Sequence, residues 1–168
     1  QKTNTKVYII PIKTINESGF MASIAGNYAY VIGSGVLKIV NLSNPYSASV
    51  IKVMDEVNRT WNMATNGNIL LASVMGSPSR LDIYNISDPL NPRKIGSIEN
   101  IGFISVQSIA IKGDMAYVAH NSNLTLVNIS NPANPVIAST INVGSASDVS
   151  LKGNYAYVAA GPNIKIVD

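Results

Sequence analysis

Apolar and polar residues alternate along this chain in short runs, with the two-residue period of β-strands. Asp148–Lys152 reads Asp-Val-Ser-Leu-Lys, placing Val149 and Leu151 on one face. Gly153–Asn154 follows, a dipeptide suited to a tight hairpin, and then Tyr155-Ala156-Tyr157-Val158 forms a second run. The loop Ala160–Asn163 leads to a third run, Ile164-Lys165-Ile166-Val167. Earlier in the chain the equivalent third run, Leu124–Val127, enters Asn128-Ile129-Ser130-Asn131-Pro132. Proline has no N–H to give to a ladder, so the strand stops there. The Asn and Ser side chains can cap the freed backbone as Asx or ST turns. A fourth run, Val136–Thr140, completes the unit. No window sustains i, i+3, i+4 apolar spacing over a helix length, so the pattern predicts strands throughout.

The unit recurs. GNYAYV at 26–31, GNILLA at 67–72, GDMAYV at 113–118 and GNYAYV at 153–158 put Gly26, Gly67, Gly113 and Gly153 41, 46 and 40 residues apart. NLSNP, NISDP and NISNP put Pro45, Pro89 and Pro132 44 and 43 apart. Four antiparallel strands repeating at about 42 residues predict an all-β, four-bladed β-propeller. The chain reads as a single domain over 1–168, with a strand complement in 1–16 and repeats near 17–57, 58–101, 102–143 and 144–168. Alanine at Ala29, Ala116 and Ala156 fits a second strand pressed against a neighbouring blade, and Leu70 departs from that rule.

The phase of the repeats carries further information. The sequence reaches Asp168 after a third strand, and it begins with an apolar run, Val7-Tyr8-Ile9-Ile10-Pro11-Ile12, ahead of the first inner strand at Phe20–Ala25. That run has the phase of a fourth strand. It is expected to complete the last blade, either of its own chain, closing the ring, or of a neighbouring subunit in a head-to-tail assembly.

The phrases GNYAYV, LKIVNLSNP, LDIYNISDPLNP, LTLVNISNPANP and IKIVD resemble the LVIVD-repeat β-propellers of bacteria and archaea over essentially the whole chain. The resemblance implies a propeller fold and an exported or surface-associated protein, and it implies no activity. The acidic residue that closes the third strand in that family is matched only by Asp168, with Asn41, Asn85 and Asn128 in the other units. A ring of carboxylates is therefore not expected.

Composition narrows the function classes. The chain is 46% hydrophobic and 12% charged, with a net charge of +3 carried by scattered Lys and Arg. Without a basic stripe, nucleic acid is not an expected partner. The absence of cysteine removes disulfides, Cys-type zinc sites, iron–sulfur centres and CxxCH haem attachment. No apolar run approaches the length of a membrane-spanning helix. Gln1 in place of an initiator Met is compatible with a removed leader, and the expected location is extracellular or cell-surface.

Candidate chemistry is sparse. No GxSxG, HExxH, P-loop or EF-hand pattern occurs, and no catalytic residue, cofactor or metal is expected. His120, the single histidine, is expected in a surface loop at His120–Asn123, and Asp55-Glu56, the one adjacent acid pair, in a solvated loop. The repeats diverge chemically at one place, just before each inner strand's repeat glycine. There Trp61, Asn62, Gln107, Ser108 and Asp148 form a candidate ligand face at the channel mouth, beside Phe20, Met21 and Ser147. Val7, Tyr8, Ile9, Ile10 and Ile12 form the candidate assembly strand. Asn-X-Ser/Thr sequons at Asn16, Asn41, Asn58, Asn85, Asn123 and Asn128 are candidate glycosylation acceptors, three of them built into the repeat turn. The leading expectation is a non-enzymatic surface protein, structural or interacting, whose partner is itself or another surface protein, with head-to-tail strand exchange into a filament as one open route to self-assembly. A small exported enzyme or ligand binder using the channel mouth is the alternative, as is a piece of a larger multi-repeat surface protein.

Overall fold

A computed structural model describes residues 13–33, 35–55, 59–76, 78–99 and 105–168. Four antiparallel sheets follow one another along the chain as the blades of a propeller. The first contains β1 (Met21–Ala25), β2 (Tyr28–Gly33), β3 (Val36–Asn41) and β4 (Ser49–Met54). The second contains β5 (Thr60–Asn66), β6 (Ile69–Val74), β7 (Arg80–Asn85) and β8 (Arg93–Glu99). The third contains β9 (Val106–Lys112), β10 (Met115–His120), β11 (Asn123–Asn128) and β12 (Val136–Asn142). The fourth has three described strands, β13 (Ala146–Lys152), β14 (Tyr155–Ala160) and β15 (Asn163–Val167). The expected assembly strand, Val7–Ile12, lies outside the described residues, as do Glu56 and Asn58.

Local turn chemistry sets the hairpins. Ala25 pairs with Tyr28, leaving a two-residue loop in which Gly26 has φ of 55°. Gly67, Gly113 and Gly153 repeat this at 55°, 56° and 58°, and no Asn or Asp that follows has positive φ. A positive φ at the first loop position alone matches a type II′ turn, whose twist suits the flanking strands. The proline turns are double Asx turns. Asn41, Asn85 and Asn128 each accept the N–H two residues on through Oδ1 at 2.8 Å. Asn44, Asp88 and Asn131 do the same at 3.0, 3.0 and 3.3 Å. Side chains thus satisfy backbone that proline has removed from the ladder.

The core lies between blades. Tyr30, Ile32, Leu37 and Ile39 of the first blade pack on Met63, Leu70 and Tyr84 of the second. Leu71, Leu81 and Ile83 pack on Ile109, Ala116 and Val127 of the third. Ala119 and Leu124 then pack on Val149, Ala156 and Val158 of the fourth. Each blade therefore offers a bulky face forward and a smaller face backward, and Leu70 is accommodated in the first junction as a fully buried side chain. Outer strands close on the following repeat: a Cβ on Gly96 of β8 would lie 1.8 Å from the carbonyl oxygen of Pro132.

The forward face of the fourth blade differs. Ile164 and Ile166 hold the repeat positions of Leu37 and Ile39, yet they are 73% and 64% exposed, against 1% and 0%. The backward face of the first blade holds Ala29 and Val40, packed with Ile15, Val31, Leu42, Ala48 and Val50. No residue of the fourth blade belongs to that described cluster.

His120 departs from expectation. It ends β10 and is 2% exposed, with Nε2 bonded to Thr125 Oγ1 at 2.8 Å, and Thr125 Oγ1 reaches Thr140 Oγ1 at 2.9 Å. The hairpin turns one residue later than the sequence pattern suggested, so the imidazole enters the sheet interior. In the second blade the position of Thr125 is taken by buried Asp82, ion-paired with Arg80 at 2.9 Å and Lys94 at 2.6 Å. In the first it is Lys38, paired with Glu17 at 2.7 Å. His120, Asp82 and Lys38 thus each reach at least one polar partner, as burial favours.

Candidate ligand face at the channel mouth

The innermost strands are β1, β5, β9 and β13, each lying against the next. Three of them start with a bulge at the same repeat position. Thr60 pairs with Val74 and Asn62 with Ser73, leaving Trp61 as the extra residue. Val106 pairs with His120 and Ser108 with Ala119, leaving Gln107. Ala146 pairs with Ala160 and Asp148 with Ala159, leaving Ser147. A bulge re-aims a side chain out of the ladder. Trp61, Gln107 and Ser147 are accordingly exposed, and Phe20 takes the matching place before β1. One end of the propeller thus carries two aromatic and two polar side chains.

The residues one step further in serve the fold. Asn62 is buried, and its Nδ2 donates to the carbonyl of Gln107 at 2.7 Å. Its backbone N–H donates to Ser73 Oγ at 2.9 Å. Ser108 Oγ donates to Asp148 Oδ1 at 2.6 Å, and the Val149 N–H donates to the same oxygen at 2.9 Å. These bonds tie the second blade to the third and the third to the fourth. Of the expected ligand face, Trp61, Gln107 and Asp148 are exposed, and Asn62, Ser108 and Asp148 are bonded across neighbouring blades.

Trp61 does not stand alone. Its ring centroid is 6.1 Å from that of Phe20, with the planes tilted by 44°. The two rings are 51% and 59% exposed and border a cleft of about 490 Å³ with Gly35, Arg59, Thr60, Met75 and Gly76. The second blade builds this cleft from its own departures. Val74 pairs with Arg80 across a five-residue connection, where Ala160 pairs with Asn163 across two. Arg59 has φ of 65°, a left-handed conformation that costs a residue with a Cβ. The Met75 N–H donates to the Arg59 carbonyl at 3.0 Å and holds the cleft wall. Sequence reasoning named Trp61 and Phe20 but missed Arg59 and Met75, because neither lies on the alternating pattern.

A second cleft, of about 380 Å³, lies on the backward face of the first blade, lined by Ile15, Phe20, Ala22, Val31, Lys38 and Val40, among others. Lys38 Nζ donates to Glu17 Oε2 at 2.7 Å and to the Ser18 carbonyl at 3.1 Å, which ties residues 17–18 over this face. Among the described residues no three His, Asp or Glu side chains converge to hold a metal. No described helix is long and apolar enough to cross a membrane.

The LVIVD repeat model matches residues 22–55, 105–143 and 143–168. The chain belongs to the LVIVD repeat family. The segment between the first two matches folds as the second blade of this LVIVD propeller, the one with the most departures at the mouth. No curated sequence matches it. Among solved structures, the computationally designed propeller Ika4 aligns with a TM-score of 0.68 at 10% identity, over 92% of this chain and 94% of that one. A glutaminyl cyclase from Myxococcus xanthus aligns with a TM-score of 0.59 at 11% identity, over 83% and 60%. PorZ, a bacterial surface component of the type-IX secretion system of Porphyromonas gingivalis, gives 0.59 at 16% identity, over 92% and 21%. This LVIVD propeller thus spans almost the whole of the designed protein and smaller shares of the natural ones. At these identities the likeness establishes the fold.

Proposed function

We propose that this LVIVD propeller is a non-enzymatic, extracellular or cell-surface structural protein that works by associating with copies of itself. The observation that carries the reading is the uncovered forward face of the fourth blade. Ile164 and Ile166 stand where three earlier junctions bury Leu37 and Ile39, Leu81 and Ile83, and Leu124, with Leu126 partly buried beside it. Covering a side chain of this size is worth roughly 1.5–3 kcal/mol. The matching partner surface is already in the molecule: the backward face of the first blade, with Ala29, Val31 and Val40 at the repeat positions of Ala156, Val158 and Val167. A forward face on one copy and a backward face on the next make a heterologous contact, which propagates unless it closes.

The strand phase supports the same reading. β15 has one described strand neighbour, β14, whereas the third strands of the other blades have two. Residues 15–18 lie on the backward face of the first blade, and the run Val7–Ile12 stands shortly before them in the sequence. In the proposal this run supplies the fourth strand of a neighbouring fourth blade. Low charge, absent cysteine and Asn/Ser-rich turns support an exposed location.

Native mass measurement over a concentration series tests the proposal, with the Ile164→Lys/Ile166→Lys double variant and a 1–12 deletion beside the wild type. Concentration-dependent oligomers that both changes abolish, with blade packing intact by circular dichroism, are the expected result. A wild type that stays monomeric at high micromolar concentration overturns it. The ligand-binder reading has its own support in the bulge-aimed mouth, developed next.

A further inference from the structure

From the cleft between Phe20 and Trp61 we infer a binding site for a small six-membered ring that carries a carboxylate. This site is independent of self-association, because it sits at the junction of the first and second blades and not at the forward face of the fourth. Three features converge on it. The first is an aromatic pair, tilted at 6.1 Å, exposed where the third and fourth blades place Gln107 and Ser147. Two large rings left half open to water form a stacking surface for a flat or ring-shaped ligand.

The second is Arg59. Its repeat counterparts are Ser105 and Ser145, and it alone among them is left-handed. Arg59 is one of the residues lining the apolar cleft, and among the described residues no carboxylate pairs with its guanidinium. A planar guanidinium beside an apolar wall presents a two-pronged donor fitted to a carboxylate, and it repels a cationic ligand that the rings alone would attract. The third is the five-residue connection between Val74 and Arg80, which adds Met75 and Gly76 as the far wall. The third and fourth blades lack all three. A cleft of about 490 Å³ admits one such ring with its substituents.

Acidic sugars and aromatic acids share this chemistry, and the test separates them. Trp61 is the only tryptophan in the chain, so intrinsic fluorescence reads the site directly. D-glucuronate and benzoate are titrated into the full chain, with glucose and benzyl alcohol as their neutral counterparts. The expected result is a saturable emission change with at least one carboxylate, weaker by about tenfold or more for its neutral counterpart, the scale of one charge-assisted hydrogen bond. Whichever carboxylate binds identifies the source. Arg59→Gln and Arg59→Gly, the second of which also relaxes the backbone, are each expected to erase the preference for the carboxylate while thermal melts stay close to wild type. No saturable change up to tens of millimolar, equal response to charged and neutral rings, or a preference that survives both Arg59 variants overturns the inference.

Discussion

Ile39 and Ile166 occupy the same position of the repeat, on third strands of the same sequence pattern, and have opposite environments. Ile39 is sealed inside the first junction, and Ile166 is 64% exposed on the last blade. Nothing in their local sequence separates them, since LKIVN and IKIVD are nearly one phrase. What separates them is whether a described blade packs against them.

Monomer stability is expected to respond to the two kinds of position in opposite ways. Leu81→Ala removes a side chain enclosed between the second and third blades. It should cost about 2–5 kcal/mol, the range for a large aliphatic truncated in a core. Ile164→Ala should leave chemical denaturation of the dilute monomer within about 0.5 kcal/mol of wild type. A large loss for Ile164→Ala at low concentration would mean that the forward face is covered within the monomer.

Gly96 is constrained by space and not by backbone angle. A methyl group there would overlap the Pro132 carbonyl, so β8 and the turn of the third repeat would have to separate. Gly96→Ala is expected to lower stability by about 1–3 kcal/mol, the usual cost of overpacking. Gly144→Ala, at a site with open space, should act only through its positive φ of 87°. Thermal melts of the two variants distinguish these causes.

The double Asx turn gives a prediction at Asn128. Asn128→Ala removes the acceptor of the Ser130 N–H and should cost about 0.5–1.5 kcal/mol. Asn128→Asp keeps the oxygen and should restore most of that stability at neutral pH. If alanine and aspartate behave alike, the side chain does not hold the turn.

Asp88 ties stability to pH. Its pKa is lowered first by the side-chain bond from Asn91 and then by the Leu90 N–H. A carboxylate with a depressed folded pKa stabilises above its unfolded value, and that contribution is lost as pH falls through the folded value. Asp88→Asn should therefore flatten the melting-temperature profile below about pH 4, with the variant slightly less stable than wild type at neutral pH and the two converging in acid. An unchanged acid limb would remove Asp88 from the account.

Tyr30 carries the alkaline counterpart. Burial, chiefly, pushes its hydroxyl above the ordinary tyrosine range. The neutral form is favoured by the fold, so its contribution is present below the unfolded pKa of about 10 and is lost as pH rises through the folded value. Tyr30→Phe should delay alkaline unfolding, read by far-ultraviolet circular dichroism.

Much of this molecule was legible without coordinates. The glycine and proline periods, the two-residue turns and the strand alternation follow from local chemistry. A hairpin glycine needs positive φ and a proline ends a ladder wherever the chain goes next. The mouth was legible only as a place of divergence. Trp61 stood out by type, but its exposure comes from a bulge, and a bulge depends on cross-strand register. Arg59 and Met75 gave no signal, because a left-handed arginine and a lengthened connection leave the alternation untouched. His120 was misplaced for a related reason: a hairpin that turns one residue later puts its side chain inside.

The sequence by itself determined the repeat, its turns and the number of blades, because each is settled by contacts within one unit. Only the tertiary structure decided which of the equivalent apolar faces are covered. Burial is a property of a pair of surfaces, and the fourth blade carries the same forward face as the other three with no described blade against it.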